Sequence, residues 1–176
     1  MGWIARLFGT DQHKAYAESS VTRGGELRST DAVFDAWTSG DLQQMLSVLN
    51  VPTHSVDRHH LLQSIVDLTY KERNKSKEMR DLCERIARLH LSEFPILAVA
   101  LRKEFKGYGT DFLPRVTTFQ QFATLLTEDG KYDEAVAICE MALSYDLHDR
   151  TAGGFEARIE RIRKKQLKSR SESGTK

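Results

Sequence analysis

Proline and glycine, the residues that most often interrupt regular structure, are scarce in this sequence: its 176 residues include 3 prolines and 11 glycines. An all-β sandwich or barrel needs turn residues between its many short strands, so this scarcity disfavours such folds. Hydrophobic residues make up 40% of the chain and charged residues 29%, which supplies a buried core and argues against wholesale disorder. The composition therefore predicts one compact domain built from helices.

Cysteines and long apolar runs are also few. The two cysteines, Cys83 and Cys139, each lie in an apolar stretch with helical spacing, and two such residues do not make a disulfide framework. We expect both thiols to be reduced and buried. No stretch approaches the roughly eighteen apolar residues that a membrane-spanning helix requires, and Met1 to Phe8 lacks the features of a secretory signal. These absences predict a cytoplasmic protein without a membrane span.

The sequence offers little that points to catalysis. It has no glycine-rich phosphate loop and no serine at a strand-to-helix elbow. His54, His59 and His60 cluster, but their spacing matches no zinc site. Cys139 with His148 is a conceivable nucleophile and base, but a thiol at a packing position without a nearby cation is inert. We therefore expect a noncatalytic protein with no cofactor and no metal.

Positive charge is concentrated at the carboxyl end. Residues 156–176 carry eight Lys or Arg and three Glu, a net charge of +5, whereas the preceding residues carry 18 basic and 22 acidic residues, a net charge of −4. Four basic residues fall on one helical face at intervals of three, four and three: Arg158, Arg161, Lys165 and Lys168. Such a row favours nonspecific, salt-sensitive contact with nucleic acid, and the alternative is the solvated face of a helix that caps the domain.

Apolar residues at spacings of three and four predict helices through most of the chain. A helical hairpin is predicted near residues 60–91. A further helix is expected to begin at Ser92, with Pro95 just inside its start, because proline is favoured in the first turn of a helix. After a loop at 107–114, Thr117 and Gln120 have the spacing of a capping box, which predicts the start of the next helix.

The two ends of the chain are predicted to lie outside the helical domain. Apolar residues at helical spacing begin the chain, namely Trp3, Ile4, Leu7 and Phe8. The segment is too short to be a stable helix by itself, so we expect it to dock on the body of the protein, with a partner or a membrane surface as the alternatives. We divide the chain into this segment and a linker (1–29), a helical domain (30–168) and a disordered basic and polar tail (169–176).

The stretch from Val116 to Asp149 alternates bulky and small residues over two successive helices. The first helix has its packing positions at Phe119, Phe122, Ala123 and Leu126. Gly130 then interrupts the pattern, and the second helix has small or medium residues at Ala135, Cys139 and Ala142. Small side chains let two antiparallel helices approach closely. With its 34 residues, this stretch resembles a tetratricopeptide repeat.

The resemblance has departures and a second, degenerate copy. Leu147 stands where the motif has proline, and Cys139 replaces a larger aromatic residue. The hairpin near 60–91 matches by type or spacing at Tyr70, Asn74, Met79, Cys83 and Ile86. The resemblance implies antiparallel helical hairpins stacked as a short α-solenoid. A C-terminal helix with an apolar stripe at Phe155, Ile159 and Ile162 is expected to cap the stack.

The resemblance also implies a function in protein binding, because the first helix of such a repeat lines a concave groove that receives peptides. The polar residues on that helix are Gln120, Gln121, Thr124, Thr127 and Glu128. They imply a groove that binds another protein or a peptide, and an ordinary solvated face is the alternative. Since this stripe has no Lys or Arg, we do not expect it to capture the C-terminus of a peptide. We predict an adaptor, or alternatively a nucleic-acid-associated accessory protein that uses the basic last helix.

Overall fold

The computed structural model describes residues 19–106, 109 and 112–173. Most of these residues are helical, so the predicted all-α class is confirmed. The predicted N-terminal segment at Trp3 to Phe8 lies outside the described residues. The elements in chain order are β1 (Ser20–Arg23), β2 (Glu26–Ser29), α1 (Ala32–Ser39), α2 (Leu42–Ser47), α3 (Ser55–Glu72), α4 (Lys77–Lys106), α5 (Thr117–Glu128), α6 (Tyr132–Ser144) and α7 (Gly154–Ser173).

Part of the expected linker is an ordered β-hairpin. β1 and β2 pair antiparallel, with Ser20 opposite Ser29 and Arg23 opposite Glu26. Gly24 and Gly25 connect them with φ angles of 59° and 85°, and a two-residue hairpin turn requires such positive values. The two glycines therefore form a tight turn inside the segment that was predicted to be a linker.

α4 is longer than expected, because it continues through the predicted helix start at Ser92 and Pro95. An internal proline removes one backbone hydrogen bond and costs about 3 kcal/mol. The apolar face of α4 is nevertheless buried on both sides of it, at Leu91, Phe94 and Leu97. The separate helix predicted from Ser92 is wrong, since this burial offsets the local cost and one continuous helix forms.

The capping box predicted at Thr117 and Gln120 is also wrong. Val116 is the N-cap residue of α5 and has no side-chain capping bond. The amide of Thr117 instead donates to Gln63 Oε1 at 3.0 Å, and the Thr117 hydroxyl donates to Asp67 Oδ1 at 2.8 Å. Side chains of α3 thus satisfy the first turn of α5 across a tertiary contact.

α7 extends beyond the predicted end of the helical domain. Residues 169–173, which were expected to belong to a disordered tail, continue the helix to Ser173. No proline or glycine interrupts the chain between Gly154 and Gly174, and Lys168 lies 3.9 Å from Glu172 across one helical turn. Among the described residues, no helix has both the length and the apolar character needed to cross a membrane.

One core connects the helices. α3 packs on α4, α5 packs on α6, α6 packs on α7, and α5 also contacts α3 and α4. Phe94 of α4 makes edge-on ring contacts with Phe119 and Tyr145 at centroid distances of 5.0 and 4.9 Å. Both thiols are free and buried, so the prediction for Cys83 and Cys139 is confirmed.

Three alanines lie at the contacts of α5 and α6. Ala123, Ala135 and Ala142 have 0% exposure, as the pattern of small residues predicts. Small buried side chains let adjacent helices pack closely, since interiors are close-packed. The burial of the three alanines is therefore consistent with close packing of α5 and α6.

Replacing one of these alanines with a larger residue tests this packing. We expect Ala135→Leu to lower the free energy of unfolding by about 1 to 3 kcal/mol, because the larger side chain overpacks the helix contact. Ala137→Leu on the exposed side of the same helix is the matched control and should change it by less than about 0.5 kcal/mol. Equal urea unfolding curves for the two variants would contradict the placement of Ala135.

A buried chain of polar side chains crosses the core from α3 to α5. His59 Nδ1 lies 3.0 Å from His90 Nε2, and His90 Nδ1 lies 2.8 Å from the Thr118 hydroxyl. Burial, helped by the charge of Arg58, lowers the pKa of His90 to about 3. Burial and the neighbouring His90 lower the pKa of His59 well below its ordinary value. Both imidazoles are therefore neutral at physiological pH and act as hydrogen-bonding groups.

Acidification should destabilise the protein through these histidines. Because the folded-state pKa of His90 lies below its ordinary value of 6.5, the unfolded chain binds the proton first, and stability falls as the pH drops below about 6.5. We expect this group to lower the free energy of unfolding by up to about 1.4 kcal/mol per pH unit as the pH falls. Urea unfolding between about pH 7 and pH 5, above the range where carboxylates titrate, measures the slope of the free energy of unfolding against pH. His90→Gln should make it shallower, and an unchanged slope would refute this role.

Candidate functional site: a groove between the fifth and seventh helices

α5 and α7 form the two walls of a groove and run in the same direction. Arg158 Nη1 donates to the Thr124 hydroxyl at 3.1 Å. Further along both helices, Lys165 Nζ donates to the carbonyl of Thr127 at 3.4 Å. The groove has a volume of about 320 Å³. Its lining residues are Thr124, Thr127, Glu128, Arg158, Arg161, Ile162 and Lys165.

The groove brings together two surfaces that the sequence analysis treated as separate. Thr124, Thr127 and Glu128 come from the polar stripe predicted to bind a peptide. The basic residues of the groove come from the row predicted as a possible nucleic-acid contact, and they are Arg158, Arg161 and Lys165. The polar stripe therefore has basic neighbours after all, because α7 supplies the Lys and Arg that α5 lacks.

The remaining predicted site residues have other surroundings. Gln121 Nε2 donates to Asp67 Oδ1 at 2.7 Å, which places Gln121 at the contact between α3 and α5. Its Oε1 is buried without a hydrogen-bond partner among the described residues. Gln120 Oε1 accepts from Arg115 Nη2 at 2.8 Å. Neither glutamine lines the groove, and neither does Lys168.

The position of α7 depends on the turn that precedes it. Gly153 has a φ of 76°, and a Cβ atom at this residue would lie 2.7 Å from Cβ of Ala157. Two Cβ atoms are essentially never found so close together. A side chain at residue 153 would therefore force the first turn of α7 to move. Glycine is therefore required where the chain enters the wall of the groove. The two adjacent glycines were visible in the sequence, but they do not reveal where α7 lies.

Arg158 is held at the entrance to the groove by a buried carboxylate. Its Nε and Nη2 donate to Asp149 Oδ2 at 2.9 and 2.7 Å, and the side chain of Asp149 is 0% exposed. The other carboxylate oxygen, Oδ1, accepts from the amide and the hydroxyl of Thr151 at 2.9 and 2.6 Å. Burial opposes ionisation, but the hydrogen bonds from Thr151 and Arg158 outweigh it and lower the pKa of Asp149. The charge of Arg158 is thus neutralised within the protein.

The carboxylate of Glu128 is likewise neutralised, by arginines outside the groove. Arg73 donates to its two oxygens at 2.8 and 3.1 Å, and Arg80 Nη1 donates to Oε2 at 3.2 Å. The hydrogen bonds from Arg73 are the largest cause of the lowered pKa of Glu128. Arg80 also pairs with Asp129 at 2.6 Å. These four side chains tie the ends of α3, α4 and α5 together and have no net charge.

Two cations in the groove lack a carboxylate partner among the described residues. Within the part of the chain that the structure describes, neither Arg161 nor Lys165 pairs with a carboxylate, and both side chains are exposed. Lys165 Nζ has one long contact, to the Thr127 carbonyl at 3.4 Å. Since Arg158 and Glu128 are each balanced, the charge that the groove presents is positive.

The predicted histidine cluster has structural contacts instead of a shared ligand site. The His54 ring nitrogen Nδ1 accepts from the amide of Val56 at 3.3 Å and caps α3. His60 stacks on Trp37 with a centroid distance of 4.7 Å, and His59 belongs to the buried chain described above. The described residues contain no group of three or more His, Cys, Asp or Glu that is placed to bind a metal ion.

Cys139 does not have the environment of a nucleophile. Burial raises the pKa of its thiol to about 12, so the reactive thiolate is absent at neutral pH. The nitrogen Nδ1 of His148 accepts from the backbone amide of Arg150 at 2.8 Å. Both residues therefore have local structural contacts.

A buried ion-pair cluster anchors the β-hairpin, and the sequence analysis missed it. Arg23 donates to both carboxylate oxygens of Asp57 at 2.6 and 3.0 Å and lies 3.7 Å from Glu104. Trp37 Nε1 also donates to Asp57, at 3.1 Å, and the amide of Gly24 donates to Glu104. One cation thus faces two carboxylates, and the cluster attaches the hairpin to α1, α3 and α4. Arg23 lies in the expected linker, and no local pattern pairs it with residues so distant in sequence.

The chain was compared with known proteins. No family model, curated protein or solved structure matches it. The arguments for its function therefore come from the groove and from the repeat-like pattern of residues 116–149.

The pair of Arg158 and Asp149 should contribute to folding stability. We expect Arg158→Ala to lower the free energy of unfolding by about 1 to 3 kcal/mol, because it leaves a buried carboxylate without its charged partner. Arg163→Ala is the matched control on the same helix, since Arg163 lies 3.7 Å from Glu140 and both side chains are more than half exposed. The control substitution should lower the free energy of unfolding by less than about 0.5 kcal/mol. Indistinguishable urea midpoints would contradict this assignment.

Proposed function

We propose that this protein is a noncatalytic interaction module that binds a segment of a partner protein in the groove between α5 and α7. The observation that carries the proposal is that hydroxyl, basic and apolar side chains from two parallel helices line one groove of about 320 Å³. This volume lies at the lower end of the range for ligand pockets, about 300 to 1,000 Å³. A few residues of an extended peptide suit a groove of this size.

The order of helix contacts supports a repeat-like arrangement. α3 and α4 would form one hairpin, α5 and α6 the next, and α7 the cap. In support, α5 contacts the preceding pair and α6 contacts α7, as expected for units that pack only on their neighbours. The buried Ala123, Ala135 and Ala142 occupy the small positions of the tetratricopeptide-like pattern. On this proposal the groove is the concave surface between the first helices of successive units.

The groove offers both polar and apolar contacts to a peptide. The hydroxyl of Thr127 donates to the carbonyl of Ala123 at 2.6 Å, so its oxygen remains an acceptor for a backbone N–H. Ile162 contributes an apolar side chain to the floor and is 4% exposed. Glu128 is held as an ion by Arg73 and Arg80, which makes it a structural group and a poor general acid. These features support peptide binding more than catalysis.

A variant that fills the groove tests the proposal. Peptides that bind the wild-type protein are selected from a displayed random library, and their affinities are then measured by fluorescence anisotropy. We expect Thr127→Tyr to weaken them at least about tenfold, which corresponds to about 1.4 kcal/mol, because the ring occupies the groove. Gln43→Tyr, on the exposed side of α2, adds the same group elsewhere and should leave the affinity unchanged.

Two results would count against the proposed function. One is the recovery of no binding peptide from the library. The other is a set of peptides whose affinities for Thr127→Tyr, Gln43→Tyr and the wild type are equal, since their binding surface then lies outside the groove. Thermal unfolding of both variants verifies that a loss of binding does not come from unfolding.

A further inference from the structure

We infer that the groove is selective for an acidic segment, with one carboxylate bound by Arg161 and a second by Lys165. This inference rests on the proposed function and gives the chemical class of its ligand. Of the four charged groups that line the groove, two have partners of opposite charge among the described residues and two have none there.

The satisfied groups are Arg158 and Glu128. Asp149 accepts two hydrogen bonds from the guanidinium of Arg158, so that group has little charge left for a ligand. Arg73 and Arg80 donate to Glu128 from outside the groove, so this carboxylate has lost most of its power to attract or repel a charged ligand. An acidic ligand is therefore not excluded by the one carboxylate that lines the groove.

The groups that remain are Arg161 and Lys165. Both line the groove, and neither has a carboxylate partner among the residues that the structure describes. Unpaired cations on a surface are common. Here they flank Thr124 and Thr127 in a concave site, where the carboxylates of a ligand lose less of their interaction energy to screening by solvent.

The spacing of the two cations fits an extended ligand. Arg161 and Lys165 are four residues apart on one helix, which corresponds to a rise of about 6 Å. Alternate residues of an extended peptide lie about 6.6 Å apart and project to the same side. Two acidic residues separated by one other residue therefore match the two cations. The guanidinium can bind one carboxylate with two parallel hydrogen bonds, and the ammonium acts as a point charge.

An acidic peptide fits the groove better than nucleic acid does. The Thr127 hydroxyl and carbonyl both present acceptor oxygens near Lys165. The backbone of a peptide brings N–H donors that pair with such acceptors. A phosphodiester chain brings mainly acceptor oxygens, which would lie against acceptors. We therefore commit to a peptide, and nucleic acid becomes one outcome of the test.

The experiment compares matched probes and matched variants by fluorescence anisotropy. The probes are a labelled Gly/Ser peptide with a Glu-X-Glu core, the same peptide with Gln-X-Gln, and a labelled DNA duplex. The test variant is Arg161→Gln with Lys165→Gln. The control, Arg163→Gln with Lys164→Gln, removes the same charge from exposed positions of the same helix that do not line the groove.

We expect the Glu-X-Glu peptide to bind the wild type and the control with affinities that agree within about twofold. The test variant should bind it about three- to thirtyfold more weakly, as expected for the loss of two solvent-accessible ion pairs. The Gln-X-Gln peptide should bind the wild type more weakly by a similar factor. Raising the salt concentration should reduce the difference between the two peptides, because solvent-accessible charges are screened.

Three outcomes would overturn the acidic assignment. The first is equal binding of the two peptides, or binding of neither. The second is an equal loss of affinity in the test and control variants, which would indicate a general charge effect. The third is a DNA duplex that binds more tightly than the Glu-X-Glu peptide and depends on Arg161 and Lys165, which would assign the two cations to phosphate.

Failure of this inference can be distinguished from failure of the proposed function. If library-selected peptides are sensitive to Thr127→Tyr but carry no acidic residues and bind the test variant normally, the groove binds peptides and only the acidic selectivity is wrong. If no peptide depends on Thr127, both the groove and its selectivity are wrong.

Discussion

The close packing of α5 against α6 is the constraint on which the rest of this structure depends. Fully buried alanines at Ala123, Ala135 and Ala142 let the two helices approach, and α6 in turn supports α7. Because α5 and α7 are joined through α6, the separation of the two groove walls depends on this packing. A side chain that never contacts a ligand, such as Ala135, thereby affects the shape of the site.

The distribution of charge follows a simple division. Charged groups at helix junctions are paired, as with Arg158 and Asp149 at the start of α7 or Arg23 and Asp57 beneath the hairpin. Buried or half-buried ions need such partners, since an isolated charge is costly away from water. Arg161 and Lys165 line the groove without a carboxylate partner among the described residues. The ion pairs at these junctions thus join secondary-structure elements, and the groove carries positive charge.

The sequence was informative about features that depend on local periodicity. The helical class, the burial of both cysteines and the small positions at α5 and α6 follow from spacings within one or two helices. Pro95 was misleading, because the local preference of proline for a helix start was overridden by burial of the residues around it. The capping of α5 by Gln63 and the meeting of Thr124 with Arg158 depend on contacts between residues far apart in sequence, and no local pattern reveals them.

The glycine at position 153 has a consequence for recognising this site in related sequences. Its missing side chain lets Ala157 lie close to the turn, so the register of one groove wall is determined at a position that does not line the groove. A relative with the same threonines and cations, but with a bulkier residue at this turn, would hold them at a different separation. Comparison of the groove across such relatives should therefore begin with the turn and only then consider the residues that line the groove.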